Sequence, residues 1–122
     1  MRSRLVAGLL ALFLASPAYA DVQPTPYVLN LITRCSGAIT SGGVSQTAIS
    51  AATNAGSKFW FIQNPPLATE PLYIDVGEAA GPTSMALTAG ASLTLGGPAV
   101  WQGQVTVYAA TTSHAFTCFY GQ

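Results

Sequence analysis

Charge is the property this sequence has least of: Asp, Glu, Lys and Arg together make up 7% of its 122 residues. An ordinary soluble domain has about 25%. After residue 20 the only cations are Arg34 and Lys58, and the acids are Asp21, Glu70, Asp75 and Glu78. No basic patch is available to neutralise phosphates, so we predict no nucleic-acid partner. Uncharged polar residues must supply the solubility, which suits a protein packed among neighbours or one outside a cell.

Motifs for catalysis and metal binding are also missing. His114 is the only histidine, and the chain has neither C-x-x-C nor G-x-S-x-G, which excludes the common zinc sites and the nucleophile elbow. We expect a lone histidine after a turn to be solvated or at the core edge. Glu70, Asp75 and Glu78 could supply a carboxylate pair for a glycosidase or a calcium site. However, Asp75 is expected to point outward from a strand and Glu78 to lie in a loop, so we predict no enzyme, cofactor or metal.

Long apolar runs occur only at the N terminus. Residues 1–20 combine two arginines, an apolar stretch and an A-Y-A site, which is typical of a secretory signal peptide cleaved before Asp21. The stretch is short for a membrane span, which needs about 20 residues, although an uncleaved anchor is the alternative. We predict a helical signal peptide, export to the periplasm or the extracellular medium, and no membrane association after cleavage.

Sustained helical periodicity is missing beyond residue 20, where short apolar or alternating runs are separated by turn residues. The spacing predicts an all-β domain, a small antiparallel β-sandwich or barrel of about seven to eight short strands. We place this domain at 35–122, after an N-terminal arm with a possible first strand at 21–34. The candidate strands are Val28–Thr33, Gln46–Ala52, Lys58–Gln63, Leu72–Val76, Ser84–Thr88, Ala91–Leu95, Gln104–Ala109 and His114–Tyr120.

The stretch from Lys58 to Gly77 is predicted to organise the fold. Lys58–Gln63 is apolar on both faces, which is typical of a strand in the middle of a sheet. Leu72–Val76 alternates, and we predict that the two strands form a hairpin-like pair. Trp60 is expected in the core, together with Ile49, Phe59, Phe61, Ile62, Leu72, Ile74, Val76, Leu87, Leu93, Leu95, Val105, Val107 and Phe116.

Two cysteines are present, Cys35 near the start of the domain and Cys118 in its last strand. In an exported chain such a pair predicts a disulfide that ties the two ends of the domain together. The alternative is two free buried thiols that pack as small hydrophobic side chains.

Aromatic residues on polar strand faces are the candidates for surface binding. Tyr73 and Tyr108 are predicted to point outward and, if their strands are neighbours, to form an exposed patch. Trp101 is a further candidate for surface binding. Such a patch can stack sugars or contact a protein. Cross-strand packing without a ligand is the alternative.

A series of short motifs suggests a family. They are G-G-V-S-Q-T (Gly42–Thr47), F-W-F-I-Q-N-P (Phe59–Pro65), A-T-E-P-L-Y-I-D-V-G (Ala68–Gly77), L-T-A-G-A-S-L-T-L (Leu87–Leu95), V-T-V-Y-A-A-T-T (Val105–Thr112) and A-F-T (Ala115–Thr117). Together they resemble a small β-domain found among structural proteins of tailed bacteriophages.

This resemblance spans most of the chain after residue 41. It implies a non-enzymatic virion component, such as a head-decoration, tail or fibre-associated module, that binds protein partners or further copies of itself. It supplies no catalytic residues. The signal peptide and the cysteine pair depart from the phage pattern. They support the alternative of a secreted bacterial module that binds carbohydrate or the cell surface.

Overall fold

The structure is a computed structural model that describes residues 31–97 and 101–122. The predicted signal peptide, and the part of the predicted arm up to residue 30, lie outside the described residues. Within the described ranges, no helix combines the length and the apolar character needed to cross a membrane.

The described chain is almost entirely β-structure, which confirms the predicted all-β class. It contains nine short strands and one four-residue helix, α1 (Ala51–Asn54). The strands are β1 (Ile32–Arg34), β2 (Gly37–Ala38), β3 (Gln46–Ile49), β4 (Phe59–Gln63), β5 (Leu72–Val76), β6 (Met85–Leu87), β7 (Ser92–Gly96), β8 (Val105–Tyr108) and β9 (Ala115–Gly121).

Two antiparallel sheets make up the fold. The five-stranded sheet has the order β1-β9-β4-β7, with β2 also paired to β9, and the four-stranded sheet has the order β3-β8-β5-β6. The core residues of both sheets pack in a single cluster. Of the two predicted architectures the structure is therefore the sandwich, in which two inner faces interdigitate and two outer faces are directed away from each other.

The predicted pairing of the two central strands is wrong. Strand β4 lies between β7 and β9 in one sheet, whereas β5 lies between β6 and β8 in the other. The chain between them contains Pro65, Pro66 and Pro71, which have no N–H to continue a ladder. This segment carries the chain from one sheet to the other. The central position predicted for β4 is nevertheless confirmed.

The core lies between the sheets and contains most of the residues predicted for it. Trp60, on the inner side of β4, has no exposed surface. The predicted core residues that are buried are Ile49, Ile62, Leu72, Ile74, Leu87, Val105, Val107 and Phe116.

Five residues predicted for the core are not buried. Phe59 and Phe61 are half-buried, because strand alternation places them opposite to Trp60 on the outer face of β4. Leu93 is half-buried and Leu95 is exposed on β7, a strand at the edge of its sheet. Val76 is exposed at the end of β5. Edge and terminal positions lack a neighbour that would cover the side chain.

Two local predictions also need correction. The predicted strand Gln46–Ala52 ends at Ile49, because Ser50 caps α1 by accepting a hydrogen bond of 3.1 Å from the backbone N–H of Thr53. A serine at this position is a strong helix-start signal. The short strand β2 is not among the candidate strands, and it pairs with the start of β9.

The predicted disulfide between Cys35 and Cys118 is present. It joins the segment that links β1 and β2 to strand β9, and the backbone N–H of Cys35 also donates to the carbonyl oxygen of Cys118 at 2.9 Å. Because Cys118 is fully buried, the bridge connects the start of the described chain directly to the core.

Candidate functional site

The outer face of the five-stranded sheet carries a partly exposed apolar surface. Phe61 on β4 lies directly opposite Phe119 on β9 and Thr94 on β7, and the centroids of the two phenylalanine rings are 6.3 Å apart. With Ile32 and Phe59 these residues line a shallow depression of about 390 Å³ whose lining surface is apolar. We call these five residues the phenylalanine face.

Glycines on the neighbouring strands leave Phe59 uncovered. Its partners in register are Gly96 on β7 and Gly121 on β9, so no side chain flanks its ring from either strand. A Cβ atom at Gly96 would lie 3.3 Å from the Cβ of Phe59. This surface was not predicted from the sequence, because Phe59 and Phe61 were expected in the core.

One cation of the described chain lies at the margin of the phenylalanine face. Arg34 is the register partner of Phe119, so the two side chains share the outer face. Arg34 is exposed. The described strands of this sheet contain no Asp or Glu. The surface is therefore apolar with a positive margin.

The structure brings two of the three aromatic candidates together on the four-stranded sheet. Tyr73 and Tyr108 are register partners on β5 and β8. Their ring centroids are 5.8 Å apart and the rings meet edge to face at 67°. Both side chains are half-buried, so they pack across the strands and still present surface to the solvent.

Trp101 does not join this tyrosine pair. Its ring covers Gly77, which directly follows the last residue of β5. A Cβ atom at Gly77 would lie 3.0 Å from this ring. The φ of Gly77 is +90°, a region that favours glycine. The indole Nε1–H donates to the carbonyl oxygen of Gln104 at 3.4 Å. Trp101 therefore belongs to the loop before β8, although 45% of its surface is exposed.

His114 is buried at the core edge, which is one of the two environments predicted for it. Its Nε2 lies 2.9 Å from Asn64 Oδ1, and its Nδ1 lies 3.3 Å from Glu70 Oε1. The amide of Asn64 is oriented by its Nδ2, which donates to the carbonyl oxygens of Glu70 and Leu87, both at 2.9 Å. Its Oδ1 is thus an acceptor, and Nε2–H of His114 donates to it.

This arrangement ties the β4–β5 connection to the turn before β9. Both ring nitrogens of His114 face oxygen atoms of neighbouring side chains. A general base acts on a proton within hydrogen-bonding distance. In this structure the hydrogen-bonding neighbours of His114 are Asn64 and Glu70, and their contacts connect two segments of the fold.

The carboxylate of Glu70 is held by hydrogen bonds. The hydroxyl of Thr111 donates to Oε1 and is the main cause that lowers the pKa of Glu70 from its ordinary value of 4.5. Partial burial opposes this shift, while the backbone N–H of Thr111, at 3.0 Å from Oε1, and the nearby His114 act in the same direction as the hydroxyl.

The remaining candidate carboxylates are engaged with the protein or solvent-exposed. Asp75 accepts hydrogen bonds of 2.8 Å from the backbone N–H of Val76 and from the hydroxyl of Ser84, and Glu78 is exposed in a loop. Nowhere in residues 31–97 and 101–122 do three His, Cys, Asp or Glu side chains come together to hold a metal.

Glu70 provides a testable pH dependence. Because its pKa is lower in the folded state, its contribution to stability is complete above pH 4.5 and is lost as the pH falls through the folded-state pKa. We expect Glu70→Gln to remove this part of the acid-side decrease in the free energy of unfolding, measured by urea titration from neutral pH to about pH 2.5. Glu78→Gln is the matched control. Parallel pH profiles for Glu70→Gln and the wild type would contradict the assignment.

Comparison of the chain with protein-family models, curated proteins and solved structures gives no match. The geometry described above is therefore the basis for assigning a function.

Proposed function

We propose that this protein is a non-enzymatic interaction module, a virion component of the type implied by its resemblance to structural proteins of tailed phages. The phenylalanine face is the observation that carries the proposal. Clusters of apolar side chains that stay partly exposed at a protein surface are a feature of association sites. Here three phenylalanine rings and Ile32 lie on the outer side of a sheet, where packing of the core does not require them.

The chemistry of this face favours a protein partner over a sugar. A bound sugar needs polar groups in fixed positions to satisfy its hydroxyls, and the depression has an apolar lining. Protein interfaces instead combine an apolar, aromatic centre with a polar or charged rim. The phenylalanine rings and the flanking Arg34 match that organisation.

The environments of the titratable groups support a non-enzymatic role. His114 is occupied by Asn64 and Glu70, and both carboxylate oxygens of Asp75 accept hydrogen bonds from the protein. An active site needs groups directed at a space where substrate can sit.

A second candidate function is binding of carbohydrate or the cell surface through Tyr73 and Tyr108. This candidate is favoured because both rings are half-buried and pack edge to face on the outer face of the four-stranded sheet. Tyrosine combines an apolar ring with a hydroxyl, which suits a ligand with both characters. Trp101 lies beyond the C-terminal end of β5, next to Gly77, and makes no contribution to this candidate site.

The proposed location is outside the cytoplasm, either in the periplasm or medium or on the virion. A disulfide such as Cys35–Cys118 persists mainly in oxidising compartments, and the pattern of residues 1–20 is that of a cleaved signal peptide. Both features support export of the mature chain.

Mass spectrometry of virus particles purified from the source culture tests the proposed function. We expect the protein in the particles, with a first peptide that begins at Asp21. Absence from the particles, with the protein found in the medium or periplasm, would contradict the virion role. In that case the second candidate predicts glycan-array binding that is lost in the double variant Tyr73→Ala, Tyr108→Ala and retained in Phe61→Ala.

A further inference from the structure

We infer that the partner of the phenylalanine face is a second copy of this chain, which docks through its tyrosine-bearing side so that copies associate head to tail. The tyrosine-bearing side is defined by Tyr73, Tyr108 and the acidic residues Asp75 and Glu78 on or next to β5. This inference rests on the proposed function, since it names the partner of the same surface.

Charge is separated between the two sides of the sandwich. Arg34 lies on the outer face of the five-stranded sheet, at the margin of the phenylalanine face. Asp75 and Glu78 lie on or next to β5 of the four-stranded sheet. Because the outer faces of a sandwich are directed away from each other, this cation and these two acids lie on opposite sides.

This separation disfavours a symmetric contact between two phenylalanine faces. A two-fold dimer uses the same patch on both copies, so it would bring Arg34 of both chains into one interface. The described strands of that sheet provide no acid to compensate. A head-to-tail contact instead places cations near acids, and complementary charge is what selects partner and orientation at an interface.

The tyrosine-bearing side has the features of a second contact surface. Tyr73 and Tyr108 hold each other in place, and tyrosine is enriched in protein interfaces. The loop that carries Glu78 is fixed on the sheet by Thr106, whose hydroxyl donates to the carbonyl oxygen of Glu78 at 2.7 Å and accepts from the N–H of Ala80 at 3.0 Å. The acidic loop is thereby pre-organised, which lowers the entropic cost of binding.

A contact between two different surfaces leaves one free surface on each copy. Unless the rotation between copies closes a ring, further copies add to both ends and an open stack results. We therefore expect the wild-type protein to form species larger than a dimer as its concentration rises.

The test uses two variants of the mature chain, each with one disabled surface. Phe61→Thr with Phe119→Thr disables the phenylalanine face, and Tyr73→Thr with Glu78→Lys disables the tyrosine-bearing side. Threonine is well accepted in strands. Far-UV circular dichroism and the mass of the oxidised chain check that each variant is folded and disulfide-bonded.

Analytical ultracentrifugation over a range of concentrations gives the readout. We expect each variant alone to be monomeric and an equimolar mixture to form 1:1 heterodimers, because only one productive contact remains. A tyrosine-side variant that still dimerises alone would show a symmetric contact through the phenylalanine face and overturn the inference. A wild-type protein that stays monomeric throughout would also overturn it.

A charge variant provides a measurement that does not depend on changing an aromatic residue. Arg34 is exposed, so Arg34→Glu should fold normally. It should weaken the association by about tenfold, because like charges then face each other across the contact. Arg34→Lys keeps the charge and is the matched control. Equal association constants for Arg34→Glu and Arg34→Lys would contradict head-to-tail docking.

The outcomes separate this inference from the proposed function. A protein present in virus particles but monomeric when purified retains the virion role and refutes self-association. A protein that passes the mixing test but is absent from particles retains head-to-tail association and refutes the virion role.

Discussion

Reduction of the Cys35–Cys118 disulfide is expected to lower the free energy of unfolding by about 4–5 kcal/mol. The bridge joins residues 83 positions apart, and the chain-entropy treatment gives stabilisation of that size for a loop of this length. Small domains have a total stability of only about 5–15 kcal/mol. Urea titrations with and without a reducing agent measure the difference as a shift of the midpoint and of the extrapolated free energy.

The double variant Cys35→Ala, Cys118→Ala is the control for this experiment. It should show the lower stability without treatment and no further change on adding the reducing agent. An unchanged midpoint for the wild type after verified reduction would mean that the contacts around β9 alone hold the two segments together.

Truncation of Trp60 to alanine is expected to lower the free energy of unfolding by about 3–5 kcal/mol, the usual range for a large aromatic side chain in a core. Trp60 is fully buried between the sheets, and its removal leaves a cavity that the surrounding side chains cannot fill. Thermal and urea unfolding of the variant measure the loss.

Phe61→Ala is the matched control on the same strand. Because Phe61 is half-buried on the outer face, its truncation removes less buried apolar area, and we expect a loss of about 1 kcal/mol. The same substitution should disrupt association through the phenylalanine face. A loss of stability for Phe61→Ala as large as that for Trp60→Ala would place Phe61 in the core and remove the basis of the proposed function.

The tertiary partners of β4 and β5 show where sequence reasoning is weakest. Both strands were recognisable from short-range patterns. Their assignment to one hairpin was wrong, because strand pairing depends on contacts between residues far apart in the chain. Local alternation contains no information about which distant strand will be the neighbour.

The Glu70–His114–Asn64 cluster illustrates the same limit. Each of these residues was visible in the sequence as polar and next to a turn or strand end. Their contact arises only when the β4–β5 connection meets the turn before β9, and no spacing between positions 64 and 114 indicates it. Only the fold brings a buried amide, an imidazole and a carboxylate into hydrogen-bonding distance.

The sequence by itself determined the all-β class, the interior place of β4, most of the core and the pairing of the two cysteines, because these follow from side-chain alternation, turn residues and cysteine count. Only the tertiary structure decided which side of β4 faces inward. Phe59-Trp60-Phe61-Ile62 is apolar on both sides, so its periodicity is the same for either orientation. Packing against the second sheet buries Trp60 and Ile62, and this leaves the phenylalanines outside to form the surface from which the proposed function follows.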